Sequence, residues 1–91
     1  MSFQELSINT LIVEVGLRLR AARLEANLSQ EELARLANVS RSTIKRLESG
    51  GDSVSLVNLL AILQVLGRLD DVIGSLPEPN DKRQRASKPR S

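Results

Sequence analysis

Two serines, Ser29 and Ser40, each stand directly before a short stretch of helical apolar spacing, and Asn38 interrupts the pattern between them. Ser29-Gln30-Glu31-Glu32 fits a capping box, in which the Ser29 hydroxyl and the Glu32 carboxylate satisfy free amides at a helix start. The helix it opens is expected to bury Leu33, Leu36 and Ala37. It should stop at Asn38, one of the few non-glycine residues tolerant of positive φ. Ser40 caps the next helix, which runs to Ser49 and is ended by Gly50-Gly51. Two short helices joined by so tight a turn must approach closely, and this fixes residue types at set offsets. Leu33, Ala37, Val39, Ile44 and Leu47 supply the apolar positions, Ala34 the small residue at closest approach, and Asn38 the turn.

The flanking segments read as further helices. From about Thr10 to Ala26, Leu11, Val15, Leu19, Ala22 and Ala26 recur at helical spacing. Gly16 interrupts them at a cost of ~1 kcal/mol and reads as a weak point near the helix start. Asn27 supplies a left-handed stop, with Leu28 packing back on the helix. Ser53 or Ser55 starts a fourth helix to about Leu66, stopped by Gly67, and a short fifth spans Leu69 to Ile73 before Gly74. Leu76-Pro77-Glu78-Pro79 must be extended, because each proline pushes its predecessor out of the helical region. Asn80 to Ser91 is polar, basic and expected to be a disordered tail. The organisation is therefore an N-terminal extension over 1–9, a helix-turn-helix domain over 10–76 and a basic tail over 77–91. The expected class is all-α, with four to five helices packed compactly, and the single aromatic, Phe3, argues against a sheet protein.

The stretch SQEELARLANVSRSTIKRLESG resembles the Xre-type helix-turn-helix family, which includes lambdoid phage repressors and Cro proteins. The similarity runs without gaps from about Leu17 to Leu66, departing at Asn38, where the family often has glycine. It implies a phage-repressor-like fold and double-stranded DNA as partner. On the third helix Ile44, Leu47 and Glu48 face the core, while Arg41, Ser42, Lys45 and Arg46 share the opposite side. With the helix start in the major groove, Arg41 and Ser42 reach base edges first and Arg46 follows one turn later. Arginine matches the paired acceptors of guanine, so Arg41 and Arg46 are the expected base readers. Gln30, Ser40, Thr43 and Lys45 are expected at backbone phosphates. The resemblance implies the same DNA-contacting role at Gln30, Ser40, Arg41, Ser42 and Arg46.

Arg23 and Glu48 both fall on core-facing positions, and a lone buried charge is costly, so a mutual salt bridge is the simplest resolution. The resemblance implies such a pair as well.

Helix four is apolar nearly all round, and a helix in so small a chain cannot bury every side against its own neighbours. A homodimer is therefore expected, with Leu59, Leu63, Leu66, Leu69, Val72 and Ile73 at its interface.

Composition narrows the function classes. The 91 residues suit one domain and leave no room for a separate ligand-binding domain. Cysteine and histidine are absent, which removes thiolate sites and the commonest metal ligand and general base. The adjacent carboxylates Glu31/Glu32 and Asp70/Asp71 point in different directions on a helix and share no site. Neither an enzyme, a metal nor a cofactor is expected. The longest apolar run, Leu56 to Leu66, falls far short of the ~20 residues that span a bilayer, so no membrane association is expected and the location is taken as cytoplasmic. Net charge is +2 and the isoelectric point about 9.7, with Lys82, Arg83, Arg85, Lys88 and Arg90 crowding the end. A polyanionic partner fits that balance.

The size and the basic end after Pro77-Glu78-Pro79 resemble HipB-like antitoxins of the persistence-kinase class. That likeness implies a repressor of its own operon that also holds a toxin kinase. The competing class is a protein-interaction module that keeps the helix-turn-helix fold without binding DNA.

Overall fold

Each of the first four α-helices begins at a serine. In the computed structural model, which describes residues 2–51 and 53–79, the elements are a 3-10 turn (Phe3–Glu5), α1 (Ile8–Glu25), α2 (Gln30–Ala37), α3 (Arg41–Glu48), α4 (Leu56–Leu66) and α5 (Leu69–Ile73). The hydroxyls of Ser7, Ser29, Ser40 and Ser55 accept from the backbone N–H three residues on, at 3.1, 3.0, 3.0 and 3.1 Å. At α2 the Glu32 carboxylate returns the bond to the Ser29 N–H at 2.7 Å, completing the expected capping box. Donation from the Ser29 backbone N–H, with a smaller contribution from its hydroxyl, holds the Glu32 carboxyl below its usual range.

The same helices end alike. Asn27, Asn38, Gly50 and Gly67 adopt positive φ of 59°, 58°, 89° and 72°. The N–H of the following residue then reaches back to a carbonyl of the last turn. These bonds are Leu28 to Arg23, Val39 to Ala34, Gly51 to Arg46 and Arg68 to Leu63, between 2.8 and 3.1 Å. Asparagine thus does at two helix ends what glycine does at the other two. The expected stops at Asn27, Asn38 and Gly67 stand, and Ser55 rather than Ser53 caps α4.

The core gathers Leu19 of α1, Leu33, Ala34 and Ala37 of α2, Ile44 and Leu47 of α3, and Ile62 and Leu63 of α4. Here α2 packs on both α3 and α4, while α1 lies along α3. Leu33, Ile44 and Ile62 are almost wholly buried.

Three expectations from spacing need correction. Leu36 is half exposed, because α2 turns Leu33, Ala34 and Ala37 inward and is too short to bury a second row. In α1 the inner line is Gly16, Leu19 and Arg23, so Val15 and Ala26 lie outside. Gly16 is no weak point either. A Cβ there would collide with the Leu47 carbonyl oxygen and sit 3.2 Å from that of Glu48. The missing side chain is what lets α1 lie on the last turn of α3.

The expected dimer residues also divide. Leu63 belongs to this chain's own core, and Leu59, Leu66 and Leu69 are packed against that core. Val72 and Ile73 are open, as are Leu56, Val57 and Leu76. Leu63 is therefore withdrawn as an interface residue. No helix among the described residues is long and apolar enough to cross a membrane. The tail expected over Asn80 to Ser91 lies outside the described residues.

Candidate nucleic-acid interface

The orientation of α3 is fixed from inside. Arg23 Nε donates to Glu48 Oε2 at 2.7 Å and its Nη2 to Oε1 at 3.0 Å, while Nη1 donates to the Leu28 carbonyl at 2.8 Å. Gln30 Nε2 adds a bond to Glu48 Oε1 at 3.1 Å. One carboxylate at the end of α3 is thereby tied to α1 and to the start of α2. Arg23 and Glu48 are 6% and 9% exposed, so both charges are desolvated, yet no buried side-chain polar atom among the described residues lacks a partner. Bonding to Glu48 raises the Arg23 guanidinium above its ordinary pKa, outweighing the opposing effect of burial. The expected pair is present, and it is bidentate.

With that side locked, α3 presents Arg41, Ser42, Lys45 and Arg46 to solvent, whereas Thr43, Ile44, Leu47 and Glu48 face inward. Among the described residues Arg41 and Lys45 have neither an ion pair nor a side-chain hydrogen bond. Arg46 differs. Its Nη2 donates to the Ser53 carbonyl at 3.2 Å, and its stem lies against Gly51, where an added Cβ would meet it. In this structure the guanidinium is drawn toward the α3–α4 connection.

Thr43 does not sit where its expected phosphate role needs it. It is 7% exposed, and its hydroxyl and that of Ser40 are 2.8 Å apart, within the cap of α3. Its place at the third position of the helix turns it back toward the cap, so it braces the turn. Ser40 is exposed, with its hydroxyl engaged by the Thr43 amide and hydroxyl. Gln30 is half-buried and committed through one amide proton to Glu48. The composition of the motif gave no sign of that tie, because it depends on where α1 places Arg23.

A short capped helix packed on a small alanine, followed by a second helix with a cationic outer face, defines a helix-turn-helix protein. Residues 19–72 match the helix-turn-helix family profile, and the chain belongs to that family. It is 34% identical over 71 residues to an uncharacterized HTH-type transcriptional regulator of Sinorhizobium fredii, covering 78% of this chain and 88% of that protein. The crystal structure of the restriction-modification controller protein C.AhdI from Aeromonas hydrophila is also similar. Its TM-score is 0.61 and its identity 41%, over 64% of this chain and 88% of that one. The chain is accordingly a DNA-binding transcriptional regulator of the helix-turn-helix type, a non-enzymatic class. The first three turns of α1 and the 3-10 turn before it precede the matched region.

Proposed function

We propose that this protein is a sequence-specific repressor that docks α3 in the major groove of an operator. The observation that carries this reading is the division of α3. Its inner face is held by a bidentate ion pair, and its outer face offers Arg41, Ser42, Lys45 and Arg46. Arg41 and Ser42 read bases at the helix start, Lys45 meets phosphate, and Arg46 reads a base after releasing Ser53. Gln30 and Ser40 stand at the backbone, and Thr43 acts through the cap. A two-fold dimer through the exposed Val72 and Ile73 would set two reading helices about one DNA turn apart, roughly 34 Å. Such a protein works in the compartment that holds the DNA, which in a bacterium is the cytoplasm.

Autorepression of its own operon is the proposed context, with a toxin kinase as the companion product. A restriction-modification controller role is the second reading, favoured by the 41% identity to C.AhdI. The first test is selection of bound duplexes from a random pool, followed by titration of the best one and of an unrelated one across salt. The selected duplex should bind at least ~10³-fold more tightly, with affinity falling by about 0.9 logarithmic units per neutralised phosphate. No duplex binding even at low salt would replace this reading with a protein-interaction module. Equal affinity for all duplexes would remove sequence specificity.

A further inference from the structure

Beside α3, where the starts of α2 and α3 meet the second half of α1, the surface is indented by an open notch of about 450 Å³. Its walls are Arg20, Arg23, Ser29, Gln30, Glu31 and Arg41. We propose that this notch holds a phosphodiester of the DNA backbone and that Arg20, on α1, is its principal cation. The inference rests on the reading of α3 as the groove-docking helix, and it adds a contact from outside the two helices of the motif.

The charges in the notch differ in their freedom. Arg23 is neutralised by Glu48 and occupied by three hydrogen bonds. Arg20 lies one helical turn before it and is exposed, with no ion pair or side-chain hydrogen bond among the described residues. Two other exposed arginines are engaged, and Arg35, which has no ion pair either among the described residues, does not line the notch. Arg18 is bonded to Glu14 and placed over the Phe3 ring, and Arg68 bridges Glu25 and Asp71. Arg20 and Arg41 are thus two uncommitted guanidinium groups facing one indentation, opposed there only by the Glu31 carboxylate.

Guanidinium groups are weakly hydrated planar forks that match two phosphate oxygens, so the uncommitted Arg20 in the notch suits a phosphodiester, while Arg41 at its edge reaches on to a base. Gln30 adds its second amide proton, since the first is spent on Glu48. The N–H groups of Gln30 and Glu31, in the first turn of α2, have no acceptor within their own helix and complete the donor set. Position decides that the ligand is DNA backbone: Arg41 belongs both to the notch and to the outer face of α3, so a strand passing α3 passes the notch.

The test compares full-length Arg20→Ala, Arg20→Lys and Arg41→Ala with the unsubstituted chain on a selected duplex and an unrelated one across salt. Arg20→Ala should weaken both duplexes by the same factor, roughly eightfold at 0.1 M salt, and lower the logarithmic salt slope by about 0.9. Arg20→Lys should restore the slope, and Glu31→Gln should tighten both duplexes. Arg41→Ala should instead change the ratio between duplexes. Unchanged melting of Arg20→Ala confirms that the loss is not unfolding. If Arg20→Ala leaves affinity and slope unaltered, or weakens only the selected duplex, the notch proposal is overturned alone. If the unsubstituted chain binds no duplex, the operator reading falls and takes this one with it.

Discussion

Gly16→Ala sets two effects of opposite sign against each other at one position. On helix propensity alone the substitution should stabilise the protein by about 1 kcal/mol, because alanine loses less backbone entropy than glycine. The packing says otherwise. The new Cβ would collide with the Leu47 carbonyl oxygen, which already accepts from the Gly50 N–H at 3.2 Å, and would press on the Glu48 carbonyl at 3.2 Å. Neither atom is the free end of a side chain, so α1 must move off α3. That opening loosens Leu19 against Leu47 and strains the Arg23–Glu48 pair, placing the cost near the top of the overpacking range, about 3 kcal/mol. The net expectation is a loss of about 2 kcal/mol, or roughly 8–16 °C in melting temperature for a domain this small. Urea unfolding followed by far-ultraviolet circular dichroism measures it. Gly67→Ala is the control, since nothing lies within 4 Å of its added Cβ. It should lose only the ~1–2 kcal/mol of a left-handed backbone. A Gly16→Ala protein as stable as the original, or more so, would refute the close approach of α1 to α3.

Glu48→Ala should cost ~3–5 kcal/mol in the same assay, because it strands the buried Arg23 charge, whereas Arg23→Met with Glu48→Leu should cost less than either single change. A single-substitution cost below ~1 kcal/mol would show that the pair is not desolvated. Ala34→Leu should melt well below the parent by prising α2 from α3, and an unaltered melting curve would contradict the register. The Glu32 carboxyl is lowered by Ser29, so its contribution is present above the ordinary carboxylate range and lost as pH falls through the folded-state value. The melting difference between parent and Glu32→Ala should therefore shrink on acidification, and a constant difference would deny the capping bond. Arg41→Ala should cost ~1–3 kcal/mol on the selected duplex and relax base choice at one position, whereas equal loss on unrelated DNA would reassign it to phosphate.

What could be read from the chain was local. Serine before α2, α3 and α4, asparagine or glycine after them, and the spacing of Leu33, Ala34, Ile44 and Leu47 are short-range signals, and those elements follow them closely, whereas the Ser7 cap that starts α1 at Ile8 was not read. The Arg23–Glu48 pair was legible because two charges on inward faces have few other solutions. What was hidden depends on which elements meet. Gly16 looks like a defect until α3 is laid across it, and Leu63 looks like surplus hydrophobicity until the helices close over the shared core. Thr43 carries the same hydroxyl whether it faces a phosphate or the Ser40 cap, so its spacing alone could not choose. The Arg46 tie to Ser53 depends on the course of the α3–α4 connection.

The Glu48 carboxylate joins the interior of the fold to its outer face. Its Oε1 accepts both from Arg23, on α1, and from Gln30, the first residue of α2, so one atom sets the angle of the base-facing helix and the position of a proposed backbone contact. Stability and DNA affinity are then partly the same property of this molecule. A change that removed the Gln30 tie but left the ion pair standing, such as Gln30→Ala, should weaken all duplexes alike. Changes confined to Arg41 would leave melting untouched and alter discrimination. Affinity and melting temperature measured on the same variants separate the residues that hold the reading helix from those that do the reading.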